Sequence, residues 1–370
     1  MPNANATSPP ELHITGIRSH YVRVPMRFPL GTSAATVTEA PLLLVDLETR
    51  EGVVGRSYLF CYRDSGAKAI ALILQEAAEL IQGQPVRPVE IAAFLARRYA
   101  LLGVTGTARM ALAAIDIAAW DTLAVAAQMP LARFLGAGLN EVKAYNSDGL
   151  GLMQPGKAAE EAVRLLDHGM RGVKLRLGNA DASLDRDVAT AVRQAVGPDV
   201  ALMVDYNQAL TVTETLARAR ALEGLDIYWI EEPIRHGDYR GCAQLRTKLP
   251  CPLQIGENFD GPEGVHDALS AGAADLVMLD AARVGGVTGW MRGAAIAAAH
   301  GMEVSSHLFP EISVHLLAAT PGAHWLEYVS WADAILQDPM VIEQGVAKPP
   351  QRPGLGLQWC PKGLARYRVA

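Results

Sequence analysis

The sequence predicts an α/β protein in which an N-terminal α+β domain precedes a (β/α)8 barrel of the TIM type. From Glu141 onward, eight short apolar runs each end in a polar residue and precede a helical stretch, the pattern of a parallel barrel. Ahead of them stand three strand-like segments followed by three helix-like ones, the order of an α+β domain. The composition, 50% hydrophobic and 19% charged with 34 glycines among 370 residues, fits an ordinary α/β enzyme with a large core.

The first ten residues, rich in Asn, Ser and Pro, read as a disordered tip. The runs "LHITGIRSHYVRVP", "APLLLVDLET" and "GVVGRSYLF" read as strands separated by Gly, Pro and polar residues. "AKAIALILQEAAELI", "PVEIAAFLARRYALL" and "GTARMALAAIDIAAWDTLAVAAQ" then space their apolar residues three and four apart, as helices do. The last is apolar almost all round, which predicts a helix buried between layers. The eight barrel runs are "VKAYNS", "GVKLRL", "VALMVDYNQ", "IYWIEEP", "PLQIGEN", "ADLVMLDAA", "MEVSSHLF" and "AHWLEYV". In such a barrel the strand C-termini form the active-site mouth, so their terminal polar residues should converge.

Several classes are disfavoured. A net charge of −6 argues against nucleic acid as the main partner, since phosphate binding needs clustered Lys and Arg. Cys61, Cys242, Cys251 and Cys360 lie far apart without CxxC spacing, which disfavours a disulfide framework or a zinc site. The start "MPNANATSPPELHI" lacks the features of a secretory signal, and no window carries the apolar run of a membrane span; the expected home is the cytoplasm. Asn5-Ala6-Thr7 matches a glycosylation sequon and is read as chance in that setting.

Asp205, Glu231 and Glu257 each close an apolar run at intervals of 26 residues, the span of one strand, loop and helix. Three carboxylates crowded at one mouth repel unless a cation sits among them. Oxygen ligands without His or Cys favour Mg²⁺ over zinc. A single strand-end acid could equally cap a helix; three in register favour metal. Asp280 and His307 end what should be adjacent strands, and a carboxylate beside an imidazole fixes its tautomer and raises its basicity, which makes a candidate general base or acid. Glu327 closes the last run, where it would donate a hydrogen bond to substrate if kept protonated. Lys174 and Arg176, two apart on a strand, share one face. The other eight histidines have no comparable context and read as surface or core.

In order along the chain, "VKLR", "MVDYNQ", "WIEEP", "GEN", "LDAARVGGVTGW", "SSHLF" and "HWLE" resemble the mandelate racemase group of the enolase superfamily. "APLLLVDL", "VVGRSYLF" and "AAIDIAAWD" are similar to its N-terminal capping domain. The resemblance implies a capping domain over residues 1–140, a modified barrel over 141–330, and a C-terminal segment, 331–370, packing back toward the cap. It implies one Mg²⁺ per subunit, with Mn²⁺ as a substitute, held by Asp205, Glu231 and Glu257 and supported by Asn207, near substrate, and Glu232. Lys174 and Ser147 match positions that contact a substrate carboxylate, Glu327 the acid that hydrogen-bonds it, and His307, oriented by Asp280, the base on one face of the α-carbon. The implied opening step removes the proton α to a carboxylate and leaves an enediolate held by metal. A small-molecule carboxylate partner and a homo-oligomer are also implied.

One position departs from the pattern. Racemisation needs a proton acceptor on each face, and in the mandelate racemase itself the second is a lysine at the position of Arg176. Neutralising a lysine of pKa ~10.4 at pH 7 costs about 4.6 kcal/mol, and neighbouring cations lower that. For arginine, at ~13.8, the same step costs roughly 9 kcal/mol. Arg176 therefore reads as an electrostatic or bidentate substrate contact. One base suits dehydration of a polyhydroxy acid, with His307 returning its proton to the leaving hydroxyl. Leu30, Ala34, Val37, Phe60 and Tyr62 instead match the racemase's apolar pocket, where buried sugar hydroxyls would lack partners. The leading expectation is a racemase-like, Mg²⁺-dependent enzyme of 2-hydroxycarboxylates; the rivals are an acid-sugar dehydratase and a metal-binding homologue without turnover.

Overall fold

The computed structural model describes residues 11–33 and 35–369, so the expected disordered tip and Ala34 lie outside the described residues. Strands β1 (Ile14–Gly31), β2 (Thr36–Thr49) and β3 (Val54–Phe60) form an antiparallel sheet in that order. Helices α1 (Asp64–Ile81), α2 (Pro88–Arg98) and α3 (Gly106–Ala126) follow, with a short α4 (Leu131–Phe134). The alternation in β1 puts Val22, Val24 and Met26 inward, while β2 is buried along nearly its whole length.

As the sequence predicts, α3 is buried almost all round, because it lies between the sheet and the barrel. A Cβ at Gly55 would stand 2.1 Å from the Ala118 carbonyl oxygen, so only glycine lets β3 approach α3 this closely. Two buried acids anchor the helix. Asp116 accepts from the Thr288 amide (2.9 Å) and hydroxyl (2.5 Å) on the barrel side, and Asp121 accepts from the Arg56 amide (2.7 Å) on the sheet side. Burial pushes both carboxyls up to about 7 against those hydrogen bonds.

The eight expected runs are eight parallel strands: β4 (Val142–Asn146), β5 (Gly172–Arg176), β6 (Ala201–Asp205), β7 (Ile227–Glu231), β8 (Leu253–Ile255), β9 (Leu276–Asp280), β10 (Val304–His307) and β11 (Trp325–Tyr328). Between successive strands run α5 (Pro155–Leu165), α6 (Ala182–Val196), α7 (Val212–Ala221), α8 (Tyr239–Arg246), α9 (Gly261–Ser270), α10 (Gly286–Ala299) and α11 (Pro310–Ala318). The ring closes where the His324 amide donates to the Val304 carbonyl at 2.8 Å. The last strand leads not to a barrel helix but to a segment containing β12 (Val346–Ala347), antiparallel to β4, and α12 (Pro361–Tyr367). That segment is fastened to the first domain by the Leu131 amide on the Gly354 carbonyl (2.8 Å), Trp359 Nε1 on Asp46 (2.8 Å) and the Val369 amide on the Tyr21 carbonyl (3.0 Å).

Side chains two apart on a strand share a face, which stacks the barrel interior in layers. Tyr145, Met203, Trp229, Met278 and Trp325 pack as an apolar floor. Asp205, Glu231, Asp280 and Glu327 stand two residues beyond Met203, Trp229, Met278 and Trp325. The floor excludes water from beneath a layer of charges.

Candidate active site

The strand ends bring the carboxylates together. One oxygen each of Asp205, Glu231 and Glu257 lies within 4.8 Å of the others. Register explains the first two, since Asp205 pairs directly with Glu231 across β6 and β7. Glu257 lies two residues past β8 and arrives through Gly256, whose φ of 130° and missing Cβ let the chain pass the Met278 carbonyl and the Phe259 ring. Burial pushes Glu231 up to about 8; Lys174 opposes this, and Asp205, Glu257 and Glu327 reinforce it. Asp205 is raised for the same reasons. Buried carboxylates that resist ionising side by side, with no nitrogen or sulfur donor among them, suit a hard divalent cation.

The surrounding groups hold this set in place. Asn207, in the left-handed region at φ 45°, gives Asp205 both its backbone amide (2.7 Å) and Nδ2 (2.8 Å). Glu232 accepts from the Gly256 amide at 3.3 Å and from Asn258 Nδ2 at 2.7 Å, and Asn258 also reaches Glu257 at 3.1 Å. Burial, then Glu257, pushes Glu232 up to about 8. Sequence reasoning missed Asn258, although it sits in the quoted "GEN". It also missed Trp229, whose indole donates to Glu231 at 3.1 Å from the floor two residues below.

Lys174 is fully buried, with Nζ 2.7 Å from Glu231, 2.7 Å from Glu327 and 3.7 Å from Asp205. Burial opposes its charge, but those carboxylates outweigh it and hold the ammonium protonated well above the ordinary range. Glu327 also accepts the Leu308 amide at 2.7 Å. Despite burial, Lys174 and then His307 hold it below the usual carboxylate range. Lys174 as partner favours the carboxylate form of Glu327, so the expected proton-donor role would require that lysine to be drawn to another anion.

His307 Nδ1 lies 2.7 Å from Asp280, whose other oxygen accepts the Ala282 (2.8 Å) and Arg283 (2.9 Å) amides. A carboxylate so placed takes the Nδ1 hydrogen and leaves Nε2 facing the acidic cluster, 3.4 Å from Glu257 and 3.9 Å from Glu327. Burial alone would lower the imidazole pKa; Glu257, Glu327 and Asp280 together raise it to about 9.

Arg176 does not stand free for substrate, as the sequence led us to expect. Its Nη1 donates to the carbonyls of Ser147 (3.1 Å) and Gly149 (2.8 Å), and Nη2 to the Ser147 hydroxyl (2.9 Å). The fixed fork of a guanidinium spreads two nitrogens over three acceptors on one loop, whereas a lysine would bring a single nitrogen. Ser147, fully buried, keeps its own hydroxyl hydrogen available. The loop carries the β1–β2 hairpin: the Leu152 amide donates to the Gly31 carbonyl at 2.9 Å.

Four of the residues expected to form an apolar pocket lie on the strands of the first domain and just beyond them. Leu30 faces Val37 across the hairpin, and Phe60 packs on Tyr62 and Trp331 with ring centroids 4.7 and 4.8 Å apart. Val37 and Tyr62 also line a cavity of about 460 Å³ on the first domain whose other walls include Arg23, Glu39, Arg63 and Asp64 and no residue of the barrel. No described helix is long and apolar enough to cross a membrane.

A capped parallel barrel with a charged layer at its strand ends is the class these features define. Residues 14–136 match the model of the mandelate racemase / muconate lactonizing enzyme N-terminal domain, and 157–363 that of the enolase C-terminal domain-like family. The chain belongs to the mandelate racemase / muconate lactonizing enzyme family of the enolase superfamily. It is 31% identical to an L-talarate/galactarate dehydratase of Salmonella typhimurium over 92% of this chain and 89% of the other. An enolase from the alpha proteobacterium bal199, crystallised with bound magnesium, superposes with a TM-score of 0.94 at 44% identity, covering 97% of this chain and 100% of that one. A Bradyrhizobium enolase complexed with magnesium and mandelic acid gives 0.93 at 35% identity, covering 98% and 99%.

Proposed function

We propose that this protein is a Mg²⁺-dependent dehydratase of 2,3-dihydroxycarboxylic acids, with His307 as its only acid-base group. The observation that carries this reading is the pairing of an oriented imidazole, Nε2 toward the acidic cluster, with an Arg176 spent on the Ser147 loop. Asp205, Glu231 and Glu257 would hold the ion, which when bound supplies Lewis-acid stabilisation for charge building on the substrate carboxylate. Lys174 and the Ser147 hydroxyl receive that carboxylate, and Lys174 then turns from Glu327 toward it. His307 Nε2 takes the α-proton, and Asp280 stabilises the imidazolium. The imidazolium hydrogen passes to the β-hydroxyl as its C–O bond breaks, water leaves, and the enol becomes a 2-keto-3-deoxy acid. Residues 1–140 cap the substrate, 141–330 carry the chemistry and 331–370 fasten one to the other. The dehydratase named among the relatives supports the same outcome.

A second reading, exchange at the α-carbon of an aryl 2-hydroxy acid, is favoured by Leu30, Val37 and Phe60 and by the mandelic acid bound to the Bradyrhizobium relative. Incubation with Mg²⁺ and a panel of sugar acids and mandelate in D₂O separates them. A 2-keto product supports dehydration. Inversion with α-deuterium supports the second reading and overturns the one-base assignment. Tight Mg²⁺ binding with neither product nor exchange on any acid would leave a non-catalytic homologue.

A further inference from the structure

Arg283 has no part in the chemistry above, yet it stands at the same mouth. It lies three residues beyond Asp280, in the loop between β9 and α10. Its amide is held by Asp280 at 2.9 Å, and its carbonyl accepts the Gly261 amide at 3.1 Å, so the backbone beneath the side chain is pinned from two directions. The guanidinium lies over the Tyr62 ring, 5.1 Å from its centroid, in the gap between barrel and cap. Among the described residues no carboxylate comes within ion-pair distance of it, and its Nε is buried without a hydrogen-bond partner. The nearby rim acid is taken elsewhere, since Asp260 pairs with Arg109 at 2.6 Å.

This contrasts with Lys174, which touches three carboxylates. A permanent cation with an unspent buried donor is costly to keep, and it sits where planar, two-pronged anion recognition would use it. The contact with Tyr62 recovers only part of that cost. The two cations lie on different sectors of the mouth, Lys174 on β5 and Arg283 beyond β9, with His307 on β10 beside the latter.

We propose that Arg283, backed by Tyr62, forms a second anion subsite, and that the substrate is a 2-hydroxy diacid held by one carboxylate at Lys174 and by the other at Arg283. This rests on the dehydratase reading and deepens it. The Tyr62 hydroxyl contributes a hydrogen bond to the far carboxylate, and the ring keeps the guanidinium in its plane. Arg283 then determines specificity without moving protons.

The test compares the Mg²⁺-loaded protein on six-carbon aldarates and on the aldonates of matching configuration, reading both 2-keto product and α-deuterium. The wild type is expected to favour the diacid at least tenfold in kcat/KM. Arg283→Met, which keeps the stem packed on Tyr62, should raise KM for the diacid about 100-fold with kcat changed less than fivefold, while the monoacid changes little. Tyr62→Phe should raise the diacid KM only a few-fold. Equal preference for both acids in the wild type, or equal loss on both in Arg283→Met, would reduce Arg283 to a clamp between cap and barrel and overturn the subsite. If neither acid yields a 2-keto product with the wild type, the dehydratase reading falls first, a result distinct from the failure of the subsite alone.

Discussion

The two sides of the barrel mouth handle charge in opposite ways. On the β5–β7 side, Lys174, Asp205 and Glu231 are each no more than 1% exposed and neutralise one another at contact distance. On the β8–β10 side, Glu257 and Arg283 are partly open, and His307 directs one nitrogen to Asp280 and the other to the cluster. Buried ions must be balanced from within or by a bound cation, whereas partly open ones can keep capacity for a ligand. On the proposed reading, the first side supplies two of the three metal carboxylates and the lysine that receives a carboxylate, and the second supplies Glu257, the base and the groups that would distinguish substrates.

The strongest way to break this division is His307→Asn. Loss of the imidazole should lower α-deuterium exchange by about 10⁴-fold, the upper range for a general base, with Mg²⁺ affinity nearly unchanged. Exchange surviving in that variant would move the base to the other side of the mouth.

Much of the division was legible in the chain. The equal spacing of Asp205, Glu231 and Glu257 carried the acidic cluster because one β/α unit repeats with nearly constant length, and the period of two placed Lys174 and Arg176 on one face. Where the Arg176 side chain ends was not legible, because its acceptors on Ser147 and Gly149 belong to a loop whose course only the tertiary structure defines. Leu30, Val37, Phe60 and Tyr62 read as apolar by residue type, but which of them meet follows only from the strand pairing, which sets Leu30 opposite Val37. Arg283 stood in the quoted "LDAARVGGVTGW" without a signal, since a buried Nε without a hydrogen-bond partner is a property of three dimensions.

On the β5–β7 side, Glu231→Gln is the next largest perturbation. It would remove a charged oxygen from the proposed metal site and a partner of buried Lys174 together, so Mg²⁺ binding by calorimetry should weaken by at least 100-fold. Stability without metal should change much less, because burial and neighbouring carboxylates already push Glu231 up to about 8 and Lys174 keeps Glu327 at 2.7 Å. Unchanged Mg²⁺ affinity would place the ion elsewhere. Removing Mg²⁺ from the wild type should lower the melting point in a concentration-dependent way, by about 2.7 kcal/mol of stability for an ion present at 100 times its Kd.

Arg176→Met is a smaller effect and sharpens the comparison, because it asks whether the arginine belongs to chemistry or to architecture. Three hydrogen bonds to the loop would be lost, at about 2–3 kcal/mol of stability after partial rehydration. With the Ser147 loop and its attached hairpin loosened, KM should rise about 10- to 100-fold and limited proteolysis should cut near Gly31. A loss confined to kcat, with the hairpin still protected, would return Arg176 to a direct role in the reaction.

The smallest effect is a shift in one titration, which links the two sides. Without metal, the carboxylates of Glu257, Glu327 and Asp280 outweigh burial and raise His307 to about 9. A folded pKa above the unfolded value near 6.5 means that the imidazolium stabilises the metal-free protein fully below pH 6.5 and that this contribution fades as pH rises through 9. Mg²⁺ held by Glu257 neutralises one of the charges responsible, so the ion should bring the His307 midpoint down and leave a larger share of neutral base at pH 7.5. Imidazole resonances followed by NMR with and without Mg²⁺ measure this directly, with His307→Asn as the assignment control. Midpoints that coincide in the two conditions would mean that the ion does not engage Glu257, and the metal site and the base would then act independently.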